Sequence, residues 1–269
     1  MSDLLIFFIV IFCFILILLI LYMIMVSKIC DSKSSLEYYK YNSINYKPEE
    51  KQPVILMLGS IHGNEPSGYY ALRKLMEDLN TNQKSLKNGQ LIIIPVVNYC
   101  AFQLGIRFIP FIGDMNRKFP DNLDHTPSNQ LISQIVELIK QADFILDFHE
   151  GWGFNRQNSN SMGSTLTPTN NELCNNLAVK IVNDLDKKID KDYMKYRIYT
   201  DNEELLKSNS DLYQNQHKIK GALSYYCQLL GKNYILVETS GQNNVMPLDT
   251  RVDQNNTIIN DVLSNYNMI

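Results

Sequence analysis

The chain has 269 residues, with 25 basic and 28 acidic side chains and a formal charge of −3. A chain so close to neutrality gives no support for binding nucleic acid or another polyanion. Its length allows one large domain or two small ones. Five cysteines without C-x-x-C or framework spacing argue for reduced thiols rather than a disulfide scaffold.

The first thirty residues differ from everything after them. Leu4 to Val26 is a run of 23 apolar residues without charge, glycine or proline. As a helix it is long enough to cross hydrocarbon about 30 Å thick. A cleaved signal peptide fits less well: the run exceeds an ordinary h-region, no basic segment precedes it, and no small-x-small site follows. Residues 1–27 therefore read as a single-pass membrane anchor in contact with lipid through residues 4–26. Lys28, Lys33 and Lys40 follow the span and favour a cytosolic side for the remainder. Residues 28–52, rich in tyrosine and lysine and without period, read as a polar stalk.

From Pro53 onward, apolar runs alternate with amphipathic segments. Val54–Leu58 predicts a buried strand, followed by a helix carrying Leu72, Leu75, Met76 and Leu79 on one face. Leu91–Val97 predicts a second strand and, after an irregular loop, residues 128–142 a helix. Phe144–Phe148 predicts a third strand, after which a loop rich in glycine, serine and asparagine runs to about Pro168. Leu173, Leu177, Ile181 and Leu185 mark another helix. Tyr196–Tyr199 is a short strand candidate; a helix near residues 219–230, a strand at Tyr234–Val237 and a closing helix near residues 251–266 complete the chain. Such alternation predicts an α/β sheet covered on both faces, with residues 53–269 as one domain.

In sheets of this kind ligands bind beyond the carboxyl ends of the strands. His62 and Glu65 follow the first strand, Asn98 the second, His149 ends the third and Glu238 the fourth. Pro66 disfavours helical geometry at Glu65, so His62 and Glu65 share a turn. They are either two zinc ligands or a histidine hydrogen-bonded in that turn. With His149 they form a two-histidine, one-carboxylate zinc set with one position left open. Zinc acidifies water and polarises a carbonyl, and Glu238 is then the carboxylate able to carry the proton. Asp147, two residues before His149, is either a partner for that imidazole or an ordinary strand-end group. Arg107, Asn116 and Arg117 lie between the second and third strands. An arginine there either grips a substrate carboxylate and steadies an oxyanion, or is an ordinary loop arginine.

The ordered motifs H-G-N-E-P-S-G, N-x-x-A-F-x-x-G-x-R, D-M-N-R-K-F-P, D-F-H-E-G and E-T-S-G, spread over residues 53–241, resemble the succinylglutamate desuccinylase/aspartoacylase family of the zinc carboxypeptidase superfamily. The resemblance implies a mixed central sheet in an α/β/α sandwich and one zinc ion per chain at His62, Glu65 and His149. It implies Glu238 as general base and substrate contacts at Arg107, Asn116 and Arg117. Asn98-Tyr99 stands where the family usually has N-P, and Met115 where it has leucine. The chain ends about thirty residues after Glu238, without room for the extra C-terminal domain of the aspartoacylase branch. The expected activity is hydrolysis of an amide bond in a small carboxylate-bearing substrate, as in N-acyl amino acid deacylation. A metallocarboxypeptidase acting on peptides is the alternative, and an inactive membrane-tethered binding module the reading from another class.

Overall fold

The computed structural model of the chain describes residues 3–31, 36–109, 112–125, 127, 129–200, 212–214 and 219–269. It divides into two compact units, Met1–Ser35 and Leu36–Ile269. The first is a single helix, α1 (Asp3–Asp31). Its stretch Leu4–Lys28 is 25 residues long and apolar enough to cross a membrane, and none of it is buried against protein.

The second unit is built on an eight-stranded mixed sheet in the order β1-β3-β2-β4-β8-β5-β6-β7. The strands are β1 (Tyr39–Asn42), β2 (Val54–Gly59), β3 (Gln90–Ile94), β4 (Phe144–Trp152), β5 (Thr165–Pro168), β6 (Arg197–Thr200), β7 (Leu212–Gln214) and β8 (Asn233–Gln242). The central strands β3, β2, β4 and β8 are mutually parallel, so their carboxyl ends share one edge. β1 is antiparallel on the outside of β3, and β5 is antiparallel to β8.

Strand periodicity sorts the core into two layers. Ile55, Met57, Phe144, Leu146, Ile235 and Val237 face a layer made by α2 (Ser67–Asn80), α5 (Glu172–Asp186) and α7 (Leu248–Asn265). Leu56, Leu58, Ile92, Ile145 and Tyr234 face α4 (Gln130–Gln141) and α6 (Leu223–Leu229). Burial on both faces is why these strands read as continuous apolar runs. The result is the expected α/β/α sandwich. β2 connects outward through α2 to β3, whereas β4 returns to the other side of β2. The direction of winding therefore reverses between β2 and β4, the place where open sheets bind ligands.

Several expectations need correction. Residues 36–52 are not a stalk: Tyr39–Asn42 is an edge strand, and the compact unit begins at Leu36 rather than Pro53. The loop expected to run to Pro168 contains β5, and the loop after β3 contains a short helix, α3 (Tyr99–Leu104). Asn98, expected at the site edge, caps α3 by accepting from the Ala101 N–H at 3.2 Å. Cys174 and Cys227 are buried free thiols, as expected of core residues.

α3 packs so closely on the turn after β2 that a Cβ at Gly63 would overlap the main chain of Ala101 and Phe102. Gly63→Ala is therefore expected to cost about 1–3 kcal/mol of stability, as overpacking does elsewhere. Denaturant unfolding reads this directly, and an unchanged midpoint would show that the two segments can separate freely.

Candidate metal centre and active site

The site starts where β2 stops. Ser60, fully buried, takes a left-handed conformation (φ 51°), which for a non-glycine residue costs about 1–3 kcal/mol and is found where surrounding structure enforces it. The chain thereby leaves the sheet abruptly. The Glu65 N–H returns to the His62 carbonyl at 3.2 Å, and α2 begins directly after Pro66. His62 and Glu65 are brought over the end of β2, beside His149 near the end of the neighbouring β4. All three are at most 2% exposed.

Their donor atoms converge. His62 Nδ1 and His149 Nδ1 are 3.0 Å apart, and each faces one oxygen of Glu65, at 2.9 and 2.7 Å respectively. The rings meet edge to face, with centroids 4.7 Å apart. The three donor atoms lie within 4.8 Å of one another, a spacing open to a metal ion. The outer nitrogens face carboxylates: His62 Nε2 lies 3.1 Å from Asp114 Oδ1. His149 Nε2 lies 3.3 Å from Asp147 Oδ2, near enough to pair electrostatically but not aligned as a hydrogen bond. Carboxylates on the outer side place the ring proton there and leave the Nδ1 lone pair turned inward, the arrangement that metal-binding histidines adopt. Two nitrogens and one carboxylate oxygen are a donor set suited to zinc.

With only protons to balance charge, the cluster is strongly polarised. Burial opposes the charge on Glu65, but the facing His149 and His62 outweigh it and hold its carboxyl well below the usual range. Burial also opposes a charged His149, yet Asp147 and Glu65 hold the imidazole protonated well above its ordinary value. Asp114 is depressed in the same way, the His62 contact overcoming desolvation.

Glu238 is the strand neighbour of His149 in the β4–β8 register and, by strand alternation, projects on the same face. Burial pushes its carboxyl up to about 8, with His149 pulling it down and Glu65 and Asp147 adding to the rise. A cation at the donor set would lower it toward the ionised form that a base requires. Arg107 reaches in from the loop after α3, donating to Glu65 Oε1 at 2.9 Å, with its other terminal nitrogen 3.5 Å from Asp114 Oδ2. Asn116 and Arg117 lie in one short 3-10 turn, Met115–Arg117. The Asn116 Oδ1 accepts from the Leu223 N–H at 2.8 Å, tying this turn to the start of α6, and exposed Arg117 donates to the Asn116 carbonyl at 2.6 Å. His125 is an exposed residue paired with Asp121, as expected of a solvated histidine, and His217 lies outside the described residues.

Several participants were not assigned from sequence. Asp114 sits within a quoted motif, and its position two residues before Asn116 was the available signal. Tyr234 donates to Asp147 Oδ2 at 2.9 Å. Glu150 points to the opposite face from His149. There it accepts from the Ser67 N–H at 2.6 Å and pairs with buried Arg251 of α7, away from the donor atoms. Gln242 at the end of β8 donates to Glu65 Oε1 at 3.1 Å.

The chain is similar to several known proteins. N-alpha-acetyl-L-2,4-diaminobutyric acid deacetylase of Halomonas elongata is 33% identical over 101 residues, 37% of this chain and 29% of that protein. The D,L-carboxypeptidase Csd4 of Helicobacter pylori, in its mDAP-bound form, superposes with a TM-score of 0.66 at 20% identity, covering 86% of this chain and 55% of Csd4. An aspartoacylase family protein from Mesorhizobium loti superposes with a TM-score of 0.55 at 20% identity, covering 87% of this chain and 62% of that one. At such identities the structural likeness is one of fold, and the chain spans little more than half the length of Csd4 and less than a third of the deacetylase. The family model described as the succinylglutamate desuccinylase/aspartoacylase catalytic domain matches residues 51–264, most of the chain, and the protein therefore belongs to that family.

Proposed function

We propose that the protein is a membrane-anchored, zinc-dependent hydrolase that cleaves the amide bond of a small carboxylate-bearing substrate, in the manner of an N-acyl amino acid deacylase. The observation that carries this reading is the convergence of His62 Nδ1, His149 Nδ1 and the Glu65 carboxylate at the switch point of the sheet, with Glu238 one strand away. Zinc held by those three residues supplies Lewis acidity to the scissile carbonyl and acidifies water. Glu238 takes the proton of the attacking water on a carboxylate oxygen and returns it to the leaving nitrogen. Arg107, already at the rim of the centre, turns its guanidinium to the carbonyl oxygen as negative charge grows there. Arg117 grips the substrate carboxylate, assisted by the side-chain amide of Asn116, whose oxygen is engaged by α6. A buried floor excludes bulk water and strengthens each of these interactions.

The deacetylase likeness, the higher of the sequence identities above, favours deacylation. Cleavage of a terminal residue from a peptide is the second reading, supported by the fold shared with Csd4. An inactive binding module is disfavoured by the presence of the whole donor set together with Glu238. The helix α1 supports anchoring in a membrane. Lys28 favours a cytosolic catalytic unit; labelling of added surface cysteines in intact cells tests that sidedness.

Three outcomes follow from this reading. Glu238→Gln keeps shape but accepts no proton, so zinc content should persist while turnover falls by at least about 10²–10⁴-fold. Loss of zinc from that variant would make Glu238 a ligand, and full activity would move the base elsewhere. Zinc takes only a neutral imidazole, and His149 is held protonated well above its ordinary value. Zinc affinity should therefore fall about tenfold per pH unit below the raised His149 value, with protons released on uptake near neutrality. Calorimetry in buffers of different ionisation enthalpy measures that release, and pH-independent binding from about pH 6 to 8 would contradict the ligand assignment. Full-length protein should also resist carbonate extraction from membranes, while mature protein cleaved near Ser27 would favour a signal sequence instead.

A further inference from the structure

Glu65 is gripped by more than the two histidines. Its Oε1 accepts from Arg107 Nη1 at 2.9 Å and from Gln242 Nε2 at 3.1 Å, and its Oε2 accepts from the Glu150 N–H at 3.2 Å. These donors differ in how free they are. The Arg107 side chain is 37% exposed, on a loop, and in the reading above turns to the substrate carbonyl. Gln242 is fixed: the same Nε2 that binds Glu65 also donates to the Glu150 carbonyl at 2.5 Å, which engages both amide protons. The reverse orientation of the amide would set its oxygen against a carboxylate and a carbonyl, so the network admits one orientation.

The backbone puts Gln242 there by an irregularity in β8. His149 to Gly151 pair with Glu238 to Ser240 in step, but Trp152 pairs with Gln242, skipping Gly241. A bulge of this kind re-aims the side chain that follows it. Gly241 has to lack a side chain at this point, because a Cβ would overlap the Glu150 carboxylate and the Arg251 guanidinium. The buried Glu150–Arg251 pair and the bulge together hold the Glu150 carbonyl and Gln242 in register with Glu65.

We propose that Gln242 is a positioning residue for the metal-ligating carboxylate: it holds Glu65 in place when Arg107 leaves Glu65 to meet the substrate. This rests on the metal-centre reading above. Of the two side-chain donors on Oε1, Arg107 is partly exposed and serves the reaction, whereas Gln242 is held by a second hydrogen bond and serves the ligand. Outer partners of metal ligands typically change affinity by about 10–100-fold when removed.

The test uses the full-length chain in detergent, with zinc affinity measured by competition against a chromophoric chelator. Gln242→Met keeps length and bulk without a donor, and should bind zinc about 10–100-fold more weakly while the metal-free protein melts at the wild-type temperature. Gln242→Asn keeps the amide but withdraws it by one methylene and should show the same loss; if Q242M folds poorly, Q242N decides on the same criterion. Arg107→Ala alone should weaken zinc binding modestly, because Gln242 remains. The double variant should show about the product of the two single losses, with the greater part due to Gln242. A merely structural role for Gln242 predicts a lowered melting temperature of the metal-free protein with zinc affinity unchanged. Zinc affinity in Q242M and Q242N within about twofold of wild type, or a larger loss in Arg107→Ala than in Q242M, overturns the proposal. Wild-type protein that binds no zinc would instead overturn the metal-centre reading on which it rests.

Discussion

Two imidazole nitrogens 3.0 Å apart, both facing one carboxylate in a space closed to solvent, set the terms for the rest of this structure. Bare lone pairs at that distance repel, so a proton or a metal ion has to lie among them. With protons alone, Asp147 and Glu65 favour the charged form of His149. A dication satisfies both nitrogens and the carboxylate together and frees that proton. The surrounding carboxylates Asp114 and Asp147 then orient rings whose inner nitrogens are already aimed.

Holding that arrangement falls to the sheet. Parallel strands deliver His62, Glu65, His149 and Glu238 to one edge, and reversal of winding between β2 and β4 opens the crevice there. Alternation along β4 then separates neighbours in sequence into different tasks. His149 faces the site, while Glu150 faces the opposite layer and joins α2 to α7 through Ser67 and Arg251. A buried pair of this kind is a weak source of net stability, but losing one partner leaves an uncompensated charge. Its position directly behind a ligand gives the fold a rigid backing where the chemistry demands one.

The central strands were legible because burial on both faces writes them as unbroken apolar runs, and the candidate ligands were legible because they fall at the ends of those runs. β1 was not, since a four-residue edge strand with alternating exposure and lysine within it looks like polar linker. β5 was hidden by its brevity, its terminal Pro168 and its antiparallel direction beside β8. The same distinction holds within the site. Glu150 follows His149 directly, and strand parity with Phe148 assigns it to the other face. Gln242 left no trace in the pattern, because a bulge at Gly241 changes which side chain meets Glu65 and no residue spacing encodes a bulge.

The central claim is that one metal ion sits between His62, Glu65 and His149. Anomalous diffraction at the zinc edge, from crystals of zinc-loaded protein, addresses it most directly. The account predicts a single full-occupancy peak about 2.0–2.2 Å from His62 Nδ1, His149 Nδ1 and a Glu65 oxygen. A peak elsewhere, or a site in which either histidine binds through Nε2 with Nδ1 turned away, would contradict it.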